Sequence, residues 1–429
     1  MQTKQPKSFP DGFRWGAAVS AHQTEGGNEN SDWWAHELAP GTIAHEPSGI
    51  ACDSYHCYAH DWRLAADAGL NAVRFSIEWA RIEPSPGEFS SDALDHYRNV
   101  IGWARDLGLE PMVTLHHFTN PRWFAEAGGW TVGESAEMFG RYARTATEAL
   151  GDLLGDVCTI NEPSVVAIVG HLMGYFPPMK SDLRTMQNVA VNLLRAHASA
   201  ADAVREAGAR AGLALSVNEF GAADDSAAAR RSRDYLRYWW VGLWIEALRT
   251  GRITGLENGR VEIGGLGNSS DFVGVQYYTG MVAGPGAEGS AKASLPKQPN
   301  RDVPEHVRNA TKRTQLAWAW YPEGLGYLLD DVSTIGVPVY VTENGIATDD
   351  DAERIEFVTR HLVQAHAAIK RGVKLRGYYY WSLLDNFEWN EGYRPTFGLI
   401  AVNRETMERT PKPSLSWYGN VARANAVTA

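Results

Sequence analysis

Eight short β-rich runs recur along the chain, and helix-periodic segments fill the intervals between them. No other feature limits the fold so tightly. The runs are Arg14–Ala21, Asn71–Glu78, Glu110–His117, Asp156–Pro163, Ala214–Phe220, Asp271–Tyr278, Val337–Gly345 and Arg376–Leu383. Segments such as YHCYAHDWRLAADAGL, SDALDHYRNVIGWARDLGL, RTMQNVAVNLLRAHASAADAVREAG and DAERIEFVTRHLVQAHAAIKRG carry the apolar stripe of an amphipathic helix. Strand followed by helix, repeated along the whole chain, implies parallel pairing with right-handed crossovers. The expected fold is α/β, a single (β/α)8 TIM barrel with extended βα loops, in one domain over residues 1–429. An open doubly wound sheet is the runner-up. It is disfavoured because no Gly-rich phosphate loop follows the first run, and Gly26–Gly27 is not one.

Composition narrows the partners. The formal net charge is −11, which argues against nucleic acid, since a surface that tracks phosphates needs clustered Lys and Arg. The opening stretch MQTKQPKSFPDGF has no apolar core of a signal peptide, and no segment reads as a membrane span. A cytoplasmic location is the expectation; oligomeric state is not readable. Three cysteines give no disulfide framework. CDSYHCYAH mixes Cys52, His56, Cys57 and His60, but the spacing fits no common zinc pattern, so no metal and no cofactor are expected. The plainer reading is a helix start, with Tyr55, Tyr58, Ala59, Trp62, Ala65, Ala66 and Gly69 on one stripe. The 16 Trp and 17 Tyr suit either a core or a carbohydrate site, where flat sugar faces stack on rings.

Barrel active sites form at the C-terminal ends of the strands. Those ends carry Gln23, then Arg74, Ser76 and Glu78, His116–His117, Asn161–Glu162, Asn218–Glu219, Gln276–Tyr277–Tyr278, Glu343–Asn344 and Trp381–Ser382. In the second run Val73, Phe75 and Ile77 alternate with Arg74, Ser76 and Glu78, so the first set should meet the helices and the second the lumen mouth. Each polar residue alone has a bland explanation: a helix cap for a glutamate, a satisfied structural histidine for His117, an ordinary ion pair for Arg74. Together they suit a polar, non-ionic substrate. Two carboxylates, Glu162 and Glu343, without a serine triad or metal set suggest acid/base and nucleophile chemistry on an acetal. Alternation alone does not prove that either glutamate points inward. The stretch Ala283–Lys312, rich in Gly, Pro, Ser and Ala, is expected to form a lid or an aglycone wall.

Across essentially its whole length the sequence resembles glycoside hydrolase family 1, the β-glucosidase family. The likeness rests on FPDGFRWGAAVSAHQTEG, VRFSIEWARIEP, TINEP, VTENG, YYYWSLLDNFEWNEGYRPTFGL and KPSLSWY, in that order. The resemblance implies a retaining exo-β-glycosidase for terminal β-D-glucosyl residues, with β-galactosyl and β-fucosyl also accepted. Its partner is then a small-molecule or oligosaccharide β-glycoside. Glu162 is implied as acid/base and Glu343 as nucleophile, with Arg74 and Tyr278 hydrogen-bonding the latter. Asn161 is implied at the sugar 2-hydroxyl, Gln23, His117, Glu388 and Trp389 at the far hydroxyls, and Trp381 as the stacking floor, before a cis Trp381–Ser382 peptide. Glu343 is expected to have a lowered pKa and Glu162 a raised one. The family's usual Trp and Asp are replaced by Phe118 and Thr119, its Asn by Gln276 and its Arg by Thr396. Retention of Glu388 and Trp389 implies an unphosphorylated glycone. A transglycosidase or a non-catalytic sugar-binding homologue are the alternatives.

Overall fold

The computed structural model describes residues 5–257, 259–286, 291–294 and 312–428. Eight parallel strands close into a barrel. They are β1 (Arg14–Ala18), β2 (Ala72–Ser76), β3 (Glu110–His116), β4 (Asp156–Asn161), β5 (Arg210–Ser216), β6 (Phe272–Gln276), β7 (Val339–Asn344) and β8 (Leu375–Trp381). They pair in chain order and β8 returns to β1, Gly377 against Arg14 through Trp381 against Ala18. The C-terminal helix Pro413–Ala424 lies over that seam. Its Tyr418 hydroxyl donates to the carbonyls of Gly16 on β1, at 3.1 Å, and Tyr378 on β8, at 2.8 Å.

The pleat sorts the side chains. Successive residues of a strand face opposite sides. Trp15 and Ala17, Val73 and Phe75, Val113 and Leu115, and Val273 and Val275 all belong to the outer core beneath the helices. Ala18, Ala72, Met112, Phe272, Tyr340, Tyr379 and Trp381 form a separate cluster that fills the lumen. Room for its rings comes from glycines on neighbouring strands. A Cβ on Gly16 would lie 2.4 Å from the Tyr379 ring, and one on Gly212 would lie 2.4 Å from Phe272. The lumen is therefore a packed plug below an open mouth.

Two of the strand ends break this alternation. Asp156 and Cys158 would place Ile160 in the lumen and Asn161 outside, yet Ile160 is in the outer core. The register of β4 against β5 shifts between Cys158 and Asn161. Likewise Tyr340 in the lumen would carry Asn344 inward and Glu343 outward, but β7 slips against β8 between Val341 and Asn344. Asn344 instead bonds between layers, donating to the Tyr277 carbonyl and accepting from the Tyr378 hydroxyl. Bulges of this kind re-aim a side chain beside an active site.

The helical expectations hold in place: Ser54–Ala68, Ser91–Asp106, Leu183–Glu206 and Asp351–Lys370. Ser90, Asp182 and Asp350 cap the last three through their side chains. The fifth run needs correction. Its barrel strand is Arg210–Ser216, while Glu219–Ala222 pairs with Gly280–Pro285 in a side sheet, so Asn218 and Glu219 leave the barrel. The polar end of the first run is also not strand: Gln23 sits in the helical turn Ala21–Thr24. Of Ala283–Lys312, residues Ala291–Ser294 form a hairpin partner to Gly280–Pro285, and 287–290 and 295–311 lie outside the described residues. Cys52 is buried with its thiol on the Asp385 carbonyl, whereas His56 and His60 are exposed. Among the described residues no helix is long and apolar enough to cross a membrane.

Candidate active site

The strand ends bring Glu162 and Glu343 to the mouth from β4 and β7. Glu343 is the next-to-last residue of a strand whose residues are all buried. Three side chains converge on it. Arg74 on β2 donates Nη1 to Oε1 at 2.6 Å, Gln276 on β6 donates Nε2 to the same oxygen at 2.8 Å, and the Tyr278 hydroxyl donates to Oε2 at 2.6 Å. Arg74 and Gln276 also share a second acceptor, Asn161 Oδ1, the latter at 2.6 Å. Arg74 is 1 % exposed, so this is a desolvated ion pair with every carboxylate oxygen in use.

Glu162 is built differently. Its backbone is left-handed, φ +46°, at the start of helix Pro163–His171, with Pro163 in the first turn. Left-handed backbone is uncommon for a residue with a Cβ. The carboxyl makes no capping bond to that helix, which removes the bland explanation. Its hydrogen-bonding neighbour is Ser216 at the end of β5.

The two carboxyls are pushed apart electrostatically. Burial raises Glu162 well above the ordinary carboxylate range, and the charge of Glu343 raises it further. Glu343 itself is raised, not lowered as the sequence suggested. Burial outweighs the Arg74 charge and the Tyr278 and Arg74 hydrogen bonds that oppose it. Glu162 thus holds a proton more tightly than Glu343.

On the opposite side of the mouth lie the other expected residues. His117 approaches the Asn161 amide at 3.3 Å. Its Nδ1 is buried without a partner, and burial, then the Arg74 charge, holds the ring well below its usual pKa. It is a neutral ring with an unused nitrogen. The structural histidine is its neighbour His116, bonded to Asn120 at 3.0 Å. Gln23 donates to the Phe387 carbonyl at 2.7 Å and reaches Glu388 at 3.4 Å. Glu388 is raised to about 8, by burial first and the Glu343 charge second. Trp389, at φ +51°, stacks on His22 with 5.6 Å between centroids and 2° between planes. The Trp381 ring lies nearly parallel to His117, 5.9 Å away, and its peptide to Ser382 is cis.

Further strand-end residues fail to join the site. Ser76 Oγ accepts from the Ala21 amide, and Glu78 caps Ala80, so both are structural. Glu219 faces the Arg237–Asp331 pair in the side sheet. Glu78 explains the departure at 119: Thr119 Oγ1 donates to its buried carboxylate at 2.9 Å, where the family's Asp would repel it. Thr396 bonds Gln315 and Thr348, away from Glu343. Sequence reasoning missed the double role of Gln276, the Ser216 contact, and Trp318, which packs 5.5 Å from Tyr278.

A parallel eight-stranded barrel with an unequal pair of buried carboxyls at its mouth defines a class, the barrel enzymes built to cleave acetals. The comparisons make that specific. The family model described as Glycosyl hydrolase family 1 matches residues 5–427, and the chain belongs to that family. It is 35 % identical to Beta-glucosidase A of Thermotoga maritima, over 98 % of this chain and 99 % of that protein. It is 32 % identical to a Bifunctional beta-D-glucosidase/beta-D-fucosidase of Bifidobacterium breve, over 96 % and 97 %. Its fold matches a beta-glycosidase from Pyrococcus horikoshii with a TM-score of 0.92 at 35 % identity, covering 99 % of this chain and 97 % of that one.

Proposed function

We propose that the protein is a retaining exo-β-glucosidase, one catalytic domain acting in the cytoplasm on unphosphorylated β-glycosides, with Glu343 as nucleophile and Glu162 as acid/base. The observation that carries this is the asymmetry of the pair. Glu343 is gripped by three donors that favour its anion, while Glu162 has burial and a neighbouring negative charge to keep its proton.

In the first step a Glu343 oxygen bonds to the anomeric carbon as the bond to the leaving oxygen breaks. Glu162 gives its proton to that oxygen, and the alcohol departs. The ester at Glu343 is neutral, so the repulsion on Glu162 is gone and it ionises. In the second step Glu162 takes a proton from water, whose oxygen bonds to the same carbon from the opened face and displaces Glu343. Two inversions give net retention, which requires the carboxyls to stand about 5–5.5 Å apart. Asn161, held by Arg74 and Gln276, is placed to bond the 2-hydroxyl. His117, Gln23, Glu388 and Trp389 take the remaining hydroxyls, and Trp381 the sugar face. The names of the relatives support glucose, with fucose as a second glycone.

The test is rescue. Glu343→Gly should be almost inactive, and azide should restore turnover of an activated β-glucoside as the inverted glycosyl azide. Parent-like activity in Glu343→Gly without azide would refute the assignment.

A further inference from the structure

Against Trp389 lies a buried polar pair, His22 and Glu37, whose described hydrogen bonds bypass both reacting carboxyls. His22 Nε2 and Glu37 Oε1 are 2.7 Å apart, and both side chains are fully buried. Asn28 donates Nδ2 to His22 Nδ1 at 3.0 Å, so the ring proton belongs on Nε2 and goes to Glu37. The other carboxylate oxygen accepts from the Ser48 amide at 2.8 Å and the Ser48 hydroxyl at 2.7 Å. Burial alone would raise Glu37, but the hydrogen bonds from His22 and Ser48 bring it below its ordinary value, which favours the anion.

The pair fixes a ring. With both nitrogens bonded, the imidazole cannot turn without breaking two buried hydrogen bonds. Its face lies on Trp389, 5.6 Å between centroids and 2° from parallel. Trp33, on the same helix as Glu37, packs on Trp389 at 4.5 Å and 49°. That helix, Asp32–Glu37, also holds the next residue along, since His36 bonds the Asn390 side chain at 3.0 Å. Trp389 needs such a hold. Its backbone is left-handed, φ +51°, and a residue with a Cβ stays there only where its surroundings over-determine it. His22 also adjoins Gln23 in the helical turn Ala21–Thr24, so one turn carries a group for the glycone and the ring that orients another.

We propose that His22, locked by Glu37 and Asn28, is a positioning residue: it sets the plane of Trp389, and thereby how strongly the enzyme reads the one glycone hydroxyl that Trp389 bonds. This rests on the glucosidase reading, and the experiment separates the two. 4-Nitrophenyl β-glucoside and its 3-, 4- and 6-deoxy analogues are compared in the parent, His22→Ala, Glu37→Ala and the double variant. In the parent, loss of the hydroxyl that Trp389 bonds lowers kcat/KM. In His22→Ala that penalty should shrink by about three- to tenfold, the worth of one hydrogen bond between neutral groups, while the penalties at the other two positions hold within about twofold. Glu37→Ala should shrink the same penalty. Its effect passes through His22, so the double variant should lose no more than His22→Ala alone. The double variant also carries no buried carboxylate deprived of its partner, and it takes over the test if His22→Ala does not fold. Deoxy penalties kept as in the parent, with activity unchanged or lowered uniformly, are what a merely structural pair would give and would overturn the proposal. Additive losses in the double variant would overturn it too. A crystal structure of the double variant should show the Trp389 ring turned from its parent plane, and an unmoved ring would count against the proposal in the same way. Failure of the parent to hydrolyse the nitrophenyl glucoside would sink the glucosidase reading instead, with the ring position still deciding the role of His22.

Discussion

Gln276 stands where the family usually has Asn, and its amide holds two of the site's acceptors at once. Gln276→Leu removes a donor from the Glu343 carboxylate, at 2.8 Å, and from Asn161, at 2.6 Å. A hydrogen bond to a charged group contributes about 1.5–3 kcal/mol and one between neutral groups about 0.5–1.5 kcal/mol. Neither acceptor is orphaned, because Arg74 still donates to both. The loss should therefore sit near the low end of the sum, about 2 kcal/mol, or about 30-fold in kcat/KM for 4-nitrophenyl β-glucoside. The lost donor favoured the Glu343 anion, so the acid limb of the pH profile should move up. Folding stability should not fall in proportion. Gln276 Oε1 is buried without a partner, so the substitution also removes an unsatisfied polar atom. The assay is kcat/KM across pH with urea denaturation beside it. Activity within twofold of the parent and an unmoved acid limb would refute the idea that Gln276 holds the nucleophile.

Tyr278→Phe should likewise raise the acid limb, since on the proposed mechanism Glu343 must be ionised to attack, and it loses its only Oε2 donor among the described contacts. On the same mechanism the basic limb would belong to Glu162, which must be protonated, so activity should fall as pH rises through its elevated value; Tyr278→Phe should leave that limb in place, and a profile shifted as a whole would contradict the pairing. Thr119→Asp should cost about 3 kcal/mol in denaturant unfolding and loosen the loop behind His117, because Glu78 is buried and already raised to about 7. Thr119→Ser keeps the donor and should be near neutral; equal stability for both variants would remove the Glu78 explanation.

Where the chain alternates regularly, the sequence was read correctly. Val73 and Phe75 face the helices and Arg74 the lumen because a period of two is the strand's own geometry. The pattern misled where the backbone departs from that period. Leu213, Leu215 and Val217 alternate and are buried, but the chain leaves the barrel after Ser216 and Phe220 lies in a different sheet. Nothing local records which sheet a strand joins. The bulges at Cys158–Asn161 and Val341–Asn344 are equally silent, and without them strict alternation from the lumen residues would turn Asn161 and Glu343 away from the mouth. The partners of Glu343 could be named from motifs, but the cost of burying it could not, and burial sets the sign of its shift.

The charge inventory of the mouth gives the site its logic. Three carboxyls, Glu162, Glu343 and Glu388, share the enclosure with one guanidinium, Arg74. Burial and the Glu343 charge raise Glu388 to about 8, which favours its protonated form at pH 7, and burial and Arg74 favour a neutral His117. Three donors favour the anion on Glu343, where it balances Arg74. In the proposed double displacement, formation of the glycosyl ester would erase that anion. Glu162 would then become the easiest group to ionise, because the repulsion that raised it would be gone. A single negative charge would pass from Glu343 to Glu162 and back while the total stays constant, so neither step would create an unmatched charge in a buried space, where the cost runs to several kcal/mol. A protonated Glu388 can both donate to and accept from a sugar hydroxyl. A phosphorylated glycone would bring a further charge of about −1.5 to −2 against Glu343 with Arg74 already matched. On the proposed mechanism, the same balance that lets one proton serve both steps would favour a neutral sugar.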